Sequence, residues 1–423
     1  MDDVLKLGFL GALQRQGIVP GLSRMQALME AFGNPQLGYP VILITGTNGK
    51  GSTTCLVESI LRAAGYRTGR FTSPHLVDVR ERIQLEGRTI EQDYFDQLGA
   101  RVRAVVESRD IRPTFFEALS AIGFLAFADR QVDVAVVEIG MGGRFDSTNV
   151  ANPVLSVLTN VGLDHVGFLG STREMIAMEK VGIARDGRPF VTGVDTALFE
   201  STVGPALSAV GARPVVRAGV DFSCVEGADG LVWKGWSETI SGLHPGLPGR
   251  YQHENVGLAL AAVRCLVDSG RFEVDSDACR RGVSSAFWPA RFQTVDSDPV
   301  TILDGCHNVH AALSLKEELP GLSRPLILVH ATRPEKDYDG VLARIAPSVD
   351  GIIETSFEGG ADPGVVANVA SRHVAPGVKV LVEPDIPTAI RLGRSLAGHG
   401  GTVLVAGSLY MAGAAIRLMG WKI

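Results

Sequence analysis

The run Val41-Ile42-Leu43-Ile44-Thr45 leads directly into Gly46-Thr47-Asn48-Gly49-Lys50-Gly51-Ser52-Thr53-Thr54. A continuous apolar, β-branched run is the pattern of a strand covered on both faces in a parallel sheet. Helical spacing from Thr53 to Ala64, stopped by Gly65, puts a helix after the turn. Strand, glycine-rich turn and helix N-terminus in that order cradle phosphate. Glycines let backbone N–H groups approach the oxygens, and the helix end adds partial positive charge. Lys50 supplies a full charge near the β- and γ-phosphates, and a hydroxyl of Ser52 or Thr53 can face Mg²⁺. Thr47, Asn48, Gly49, Lys50, Gly51, Ser52 and Thr53 are therefore the expected nucleotide contacts. The spacing departs from GxxxxGK[ST]: Ile44 stands at the first Gly position, and Gly51 is inserted before Ser52.

The same strand–helix alternation continues along the chain. Val132 to Glu138 reads as a second buried strand after an apolar helix from Phe115 to Arg130, and Pro153 to Thr159 as a third. Residues 1–38 read as helix with a Gly/Pro break. Residues 213–245 carry short apolar runs among glycines and read as an antiparallel hairpin region. A helix spans Tyr251 to Asp268. A new α/β unit starts near residue 296, with strands at Val300–Asp304, Leu326–Val329, Gly351–Thr355, Val378–Val382 and Thr402–Ala406. The expected fold is α/β. A P-loop parallel-sheet ATPase domain with a small antiparallel addition, residues 1–295, precedes a smaller C-terminal Rossmann-like domain, residues 296–423. A length of 423 residues suits two or three domains.

The net charge of -6 gives no reason to expect bulk attraction to nucleic acid or an anionic membrane. Five scattered cysteines without a CxxC suggest neither a disulfide framework nor a zinc site. Met1-Asp2-Asp3-Val4 lacks a signal-peptide pattern, and no apolar stretch is long enough for a membrane span. The composition is that of a cytoplasmic enzyme.

Glu138 closes the second strand ahead of Ile139-Gly140-Met141-Gly142-Gly143-Arg144-Phe145-Asp146-Ser147-Thr148-Asn149. A carboxylate at a parallel-strand C-terminus lies in the crevice where ligands bind and can ligate Mg²⁺. TGTNGKGS resembles the nucleotide loop of the Mur ligase superfamily, and its extra glycine resembles the folate branch, folylpolyglutamate synthase and dihydrofolate synthase. EIGMGGRFDSTN is similar to that branch's EVGLGGRxDATN, and Thr159 to Gly170 to its TNIGxDHxxxLG. Phe71-Thr72-Ser73-Pro74-His75-Leu76 resembles SSPHL. The resemblance implies a metal set of Ser52, Ser73, Glu138, His165 and Lys180. Lys180 matches a lysine that the family carbamylates; a carbamate presents oxygens to a cation, which an ammonium cannot do.

Toward the C-terminus, His253 to Ala261 looks like HQxxNAxLAL, with Asn255 at an adenine-contacting position. Trp288-Pro289-Ala290-Arg291-Phe292-Gln293 is similar to WPGRFE, with Ala290 for Gly and Gln293 for Glu. If Ala290 takes a positive φ, that substitution costs energy. Asp304-Gly305-Cys306-His307-Asn308 resembles DGAHN, which implies a ribose contact for Asp304 and a phosphate contact for His307. Cys306 reads as a small buried apolar residue. Arg333 to Asp337 and Gly407 to Tyr410 resemble further family segments. Lys50, His165, Lys180 and Arg291 are the implied catalytic residues. Arg291 has the chemistry to stabilise phosphate charge during transfer. For the pterin-bearing substrate, the resemblance points to Leu22, Ser23, Arg24, Thr114, Phe115, Phe116, Glu117, Phe145, Asp146 and Ser147. Phe115 and Phe116 could stack on a flat heterocycle or serve the core.

The reaction implied is ATP- and Mg²⁺-dependent joining of dihydropteroate, a (tetrahydro)folate, or both, to L-glutamate through an acyl phosphate, by a monomer, with folylpolyglutamate synthesis alone as an alternative. A peptidoglycan-precursor ligase is the nearest rival, although 45 residues before Gly46 leave little room for its UDP-binding domain. An ATP-switch protein is a rival of another class, and it would leave the DGCHN segment unexplained.

Overall fold

The structure, a computed structural model, describes residues 8–13, 17 and 19–421. The Met1–Val4 reading, and part of the N-terminal helix reading, lie outside these residues. The chain divides into two compact units. One comprises Met1–Ser73, Arg80–Gly246 and His253–Ala286; the other comprises Pro74–Val79, Leu247–Gln252 and Phe287–Ile423.

The first unit is built on an eight-stranded sheet. In chain order its strands are β1 (Val41–Thr45), β2 (Thr68–Phe71), β3 (Ile83–Leu85), β4 (Arg88–Thr89), β5 (Val134–Glu138), β6 (Pro153–Leu158), β7 (Phe190–Thr192) and β8 (Val215–Arg217). The spatial order is β4-β3-β2-β5-β1-β6-β7-β8. All neighbours are parallel except at β2-β3 and β3-β4. β1 lies between β5 and β6, and all five of its residues are buried. Helices Lys50–Ala63 and Phe115–Asp129 follow the strands. The helix Phe115–Asp129 is apolar almost throughout, and eleven of its residues are buried.

A separate three-stranded antiparallel sheet holds β9 (Ser223–Gly227), β10 (Gly230–Lys234) and β11 (Thr239–Leu243). It packs on the helix Gln252–Asp268: Trp233 is fully buried and its Nε1–H donates to Gly257 O at 3.2 Å. The expected antiparallel addition is therefore present but shorter than 213–245. Val215–Arg217 runs parallel to β7 in the main sheet instead. A three-residue run has too few side chains for its periodicity to reveal which neighbour it pairs with.

The second unit has a six-stranded sheet of β12 (Gln293–Ser297), β13 (Val300–Leu303), β14 (Leu326–His330), β15 (Gly351–Glu354), β16 (Lys379–Val382) and β17 (Thr402–Ala406), ordered β12-β13-β17-β14-β15-β16. Every pairing is parallel except β12 with β13. Apolar clusters cover both faces, one around Leu328, Leu342 and Leu404, the other around Val329, Ile390 and Val405. Truncating such a side chain to Ala costs about 2–5 kcal/mol. No helix among the described residues is long and apolar enough to cross a membrane.

Candidate active site

The C-terminal ends of β1, β5 and β6 deliver the chemistry of the first unit. After β1 the chain turns at Gly46, whose φ is 156°, and a Cβ there would lie 1.8 Å from Thr159 Oγ1. Only glycine allows that approach. The loop is tied to the segment after β6: Thr47 N–H donates to Asn160 O at 3.0 Å, Asn48 N–H to Asn160 Oδ1 at 3.0 Å, and Thr159 Oγ1–H to Asn48 O at 2.6 Å. Thr47 Oγ1 exchanges hydrogen bonds with Gly162. The helix starts at Lys50, three residues earlier than its periodicity showed, from a left-handed Gly49. Gly51, Ser52 and Thr53 form its buried first turn.

Two lysines meet at this loop. Lys50 Nζ donates to Gly46 O and Thr47 O, both at 3.1 Å, and Lys180 Nζ donates to Gly46 O at 2.7 Å. Lys180 is 3% exposed. Burial first, then the Lys50 charge, hold its amine well below the usual lysine range, against weaker opposing pulls from Asp164 and Asp146. Thr53 Oγ1–H donates to Asn255 Oδ1 at 3.3 Å, which brings the expected adenine contact to the base of the loop.

Glu138 pairs in register with Ile44, beside the loop. It is buried, and its Oε2 accepts from Ser73 N–H at 3.0 Å. A carboxylate and a serine thus meet one strand away from Ser52. Hard oxygen donors of this kind suit Mg²⁺. His165 stands apart in character: it is exposed and left-handed, with φ 51°, at the N-cap of the short helix Val166–Leu169. Among the described residues, no three His, Cys, Asp or Glu side chains gather into a metal-binding group. The fit to a divalent cation rests on the buried Glu138 carboxylate, with Ser73 beside it.

The turn after β5 is pinned by Asp146. Its Oδ2 accepts from Met141 N–H at 2.9 Å, and its Oδ1 from Thr148 N–H and Oγ1–H at 3.0 and 2.5 Å. Burial pushes its carboxyl up against these hydrogen bonds. Ser147 Oγ lies 2.8 Å from Ser120 Oγ. Phe145 is 51% exposed.

Thr114 and Glu117 form a capping box: Glu117 N–H donates to Thr114 Oγ1 at 3.2 Å and Thr114 N–H to Glu117 Oε2 at 2.6 Å. Arg24 adds two contacts, Nε to Oε2 at 3.1 Å and Nη2 to Oε1 at 3.0 Å. The T-x-x-E spacing in Thr114-Phe115-Phe116-Glu117 is the sequence sign of this cap, which the sequence reading above passes over. Leu22 precedes and Ser23 opens the helix Ser23–Ala31 that carries Arg24. The Arg82 guanidinium lies 5.6 Å from the Phe115 ring centroid, and Phe116 packs edge-on to Phe71 at 5.9 Å.

In the second unit, Ala290 adopts φ 55° and Phe292 φ 51°. The Ala-for-Gly substitution thus falls on a left-handed position, at a cost of about 1 kcal/mol or more. Arg291 Nη1 donates to Ala290 O at 3.1 Å. Asp304 is buried and accepts from Phe292 N–H at 2.9 Å, Cys306 N–H at 2.8 Å and Tyr251 O–H at 3.1 Å. His307 Nδ1 faces Gly305 O at 2.9 Å, which assigns the proton to Nδ1. Cys306 is buried, and its thiol is pushed well up by burial, as befits a packing residue.

Residues 44–263 match the family model of the Mur ligase middle domain, and residues 290–409 that of the Mur ligase glutamate ligase domain. A dihydrofolate synthase/folylpolyglutamate synthase of Mycobacterium tuberculosis is 33% identical over 449 residues, covering 95% of this chain and 91% of the relative. The chain belongs to the folylpolyglutamate synthase/dihydrofolate synthase family of Mur ligases. A probable bifunctional folylpolyglutamate synthase/dihydropteroate synthase of Haloferax volcanii is 33% identical over 427 residues. That match covers 96% of this chain, which spans about half, 49%, of the relative. Among solved structures of the folylpolyglutamate synthase/dihydrofolate synthase family, the bifunctional protein from Yersinia pestis complexed with AMPPNP and Mn ion aligns with a TM-score of 0.87 at 29% identity. That alignment covers 98% of this chain and 97% of the other. The family and fold class expected from the sequence are borne out.

Proposed function

We propose that the chain is an ATP-dependent ligase joining the carboxylate of dihydropteroate, of a (tetrahydro)folate, or of both, to the amine of L-glutamate. The observation that carries this reading is the loop at Gly46, where two lysines converge one strand from a buried carboxylate, in a member of a folate ligase family. The division proposed from the sequence, residues 1–295 for ATP and 296–423 for glutamate ligation, goes with it.

Backbone N–H groups of residues 49–52 bind the terminal phosphates, while those of Thr47, Asn48 and Thr53 donate to Asn160 and Gly49 and hold the loop in shape, and Lys50 leaves its loop carbonyls to neutralise the phosphates. The pteroyl carboxylate oxygen attacks the γ-phosphorus and ADP departs, leaving an acyl phosphate. The glutamate amine then attacks the acyl carbon. Phosphate leaves, and the amine gives up one proton. Two anions meet in the first step, so positive charge at the transferring group is the main requirement. Lys50 and Arg291 supply it, with Asn255, Asp304 and His307 contacting the nucleotide. Mg²⁺ would add Lewis-acid charge at the phosphates, held by Ser52, Ser73 and Glu138, with His165 and a carbamylated Lys180 completing the set. Burial, which lowers the Lys180 pKa, favours the neutral form of the amine, the form that adds to CO₂. Leu22, Ser23, Arg24, Thr114 to Glu117 and Phe145 to Ser147 border the pteroyl substrate, Phe145 being the exposed ring among them. We take the protein to act as a cytoplasmic monomer.

ADP release should require both L-glutamate and either dihydropteroate or tetrahydrofolate. Hydrolysis running at the same rate without either co-substrate would refute the reading.

A further inference from the structure

Asp304 is a carboxylate in an environment that works against its charge. It is 6% exposed, and burial raises its carboxyl above the usual range. The groups that oppose this rise are Arg291, the N–H groups of Cys306 and Phe292, and the Tyr251 hydroxyl. Other titratable groups lie nearby: Cys306 feels the Asp304 charge, Glu318 acts on Tyr251, and His307 sits on the same loop with its Nδ1 on Gly305 O. Among the described residues, Tyr251 O–H is the side-chain donor to Asp304, and it is 53 residues away in sequence.

The segment carrying Tyr251 is built to present that hydroxyl. Gly249 takes φ 100°, and a Cβ there would meet the Tyr251 ring at 2.7 Å, so the turn closes directly on the ring. Arg250 N–H donates to Glu318 Oε1 at 2.5 Å, and Gln252 N–H donates to Gly249 O at 3.0 Å. Leu247 and Gln252, at the two ends of the segment, are buried. Burial, reinforced by Asp304, pushes the Tyr251 hydroxyl well above the ordinary tyrosine range. It therefore stays a donor and cannot compete for Asp304's negative charge.

We propose that Tyr251 is a positioning residue for nucleotide binding: its hydroxyl orients Asp304, so that the carboxylate acts as an acceptor toward the sugar of a bound adenosine nucleotide. The inference rests on the role proposed above for Asp304. Tyr251 does not itself touch the ligand. Removing its hydroxyl leaves a buried carboxylate with one donor fewer, and protonation becomes easier.

The test measures ADP affinity of the full chain by calorimetry across the acid-to-neutral range, for wild type, Tyr251→Phe, Asp304→Asn and the double variant. Tyr251→Phe should weaken ADP binding by about 3- to 10-fold near neutral pH, a part of the worth of one hydrogen bond to a charged group, since the lost bond acts on the ligand only through Asp304. It should also move the acid limb of the binding profile to higher pH. In the Asp304→Asn background the same change should add nothing, the coupling expected of two groups acting as one. The KM for L-glutamate should stay within about twofold. An unshifted acid limb, or an equal loss of affinity in both backgrounds, overturns the inference. If wild type fails to bind ADP, the ligase reading itself falls. If wild type binds and Asp304→Asn leaves affinity intact, the role given to Asp304 falls. If Asp304→Asn weakens binding and Tyr251→Phe does not, the inference about Tyr251 fails alone.

Discussion

Lys50 and Lys180 donate to one oxygen, the Gly46 carbonyl, at 3.1 and 2.7 Å. Two amines that close cannot both carry charge cheaply where water is scarce, and the more buried one yields. The folded-state pKa of Lys180 therefore lies below its unfolded value, near 10.5. Between the two values the unfolded chain binds more protons, so this site's contribution to stability rises with pH up to about 10.5. Below the folded pKa its cost is fully present. Lys180→Met should melt higher than wild type near neutral pH, and the gap should close as pH approaches the unfolded value. The same variant should lose ligation by about 100-fold or more. Paired melting curves and ADP release check both.

Lys50 differs because it is less deeply covered and folds back on its own loop. Lys50→Ala should lower turnover by about 100- to 1,000-fold while shifting the melting temperature by no more than a few degrees. Near-normal turnover would remove Lys50 from the mechanism.

Glu117 ties three things together: the Thr114 cap, the start of an apolar helix, and Arg24. Glu117→Ala should destabilise the protein by about 2–4 kcal/mol, since it strands a part-buried guanidinium and opens the cap. Thr114→Ala, which removes one cap hydrogen bond, should cost about 1 kcal/mol. Chemical denaturation of the two variants would rank them. Equal, negligible losses would mean the network carries no stability.

Phe145 and Phe116 should separate cleanly. Phe145 is half exposed, whereas Phe116 packs against Phe71. Phe145→Ser should raise the KM for the pteroyl substrate by about tenfold with stability unchanged within about 0.5 kcal/mol. Phe116→Ala should cost stability first, about 2–4 kcal/mol.

The strands that order the site were legible because they are buried on both faces. Val41–Thr45 and Val134–Glu138 show as unbroken apolar runs, within two residues of their observed limits. Thr68–Phe71 did not show, because Gly69 and Arg70 interrupt it. Arg70 is tolerated there because Glu58 and Gln84 receive its guanidinium. Ile83–Leu85 and the edge strands Arg88–Thr89 and Gln293–Ser297 are too short or too polar to leave a period. In the site, motif order located the loop, Glu138, Asp304 and Asn255. It could not give the convergence of Lys50 and Lys180, 130 residues apart, which depends on where two loops end. The buried His330–Glu354 pair, 2.8 Å apart across β14 and β15, was equally invisible, since only strand register sets it.

The small antiparallel sheet has a reach beyond its own size. Trp233 hangs from the Gly257 carbonyl, two residues along the helix from Asn255, and Phe222 and Cys224 crowd the same glycine. A loosened β-meander would let that helix rock, and the amide beneath the phosphate turn would rock with it. Substitutions on the outer strands of this buttress would thereby move Asn255, the residue proposed to contact adenine, without touching the site itself.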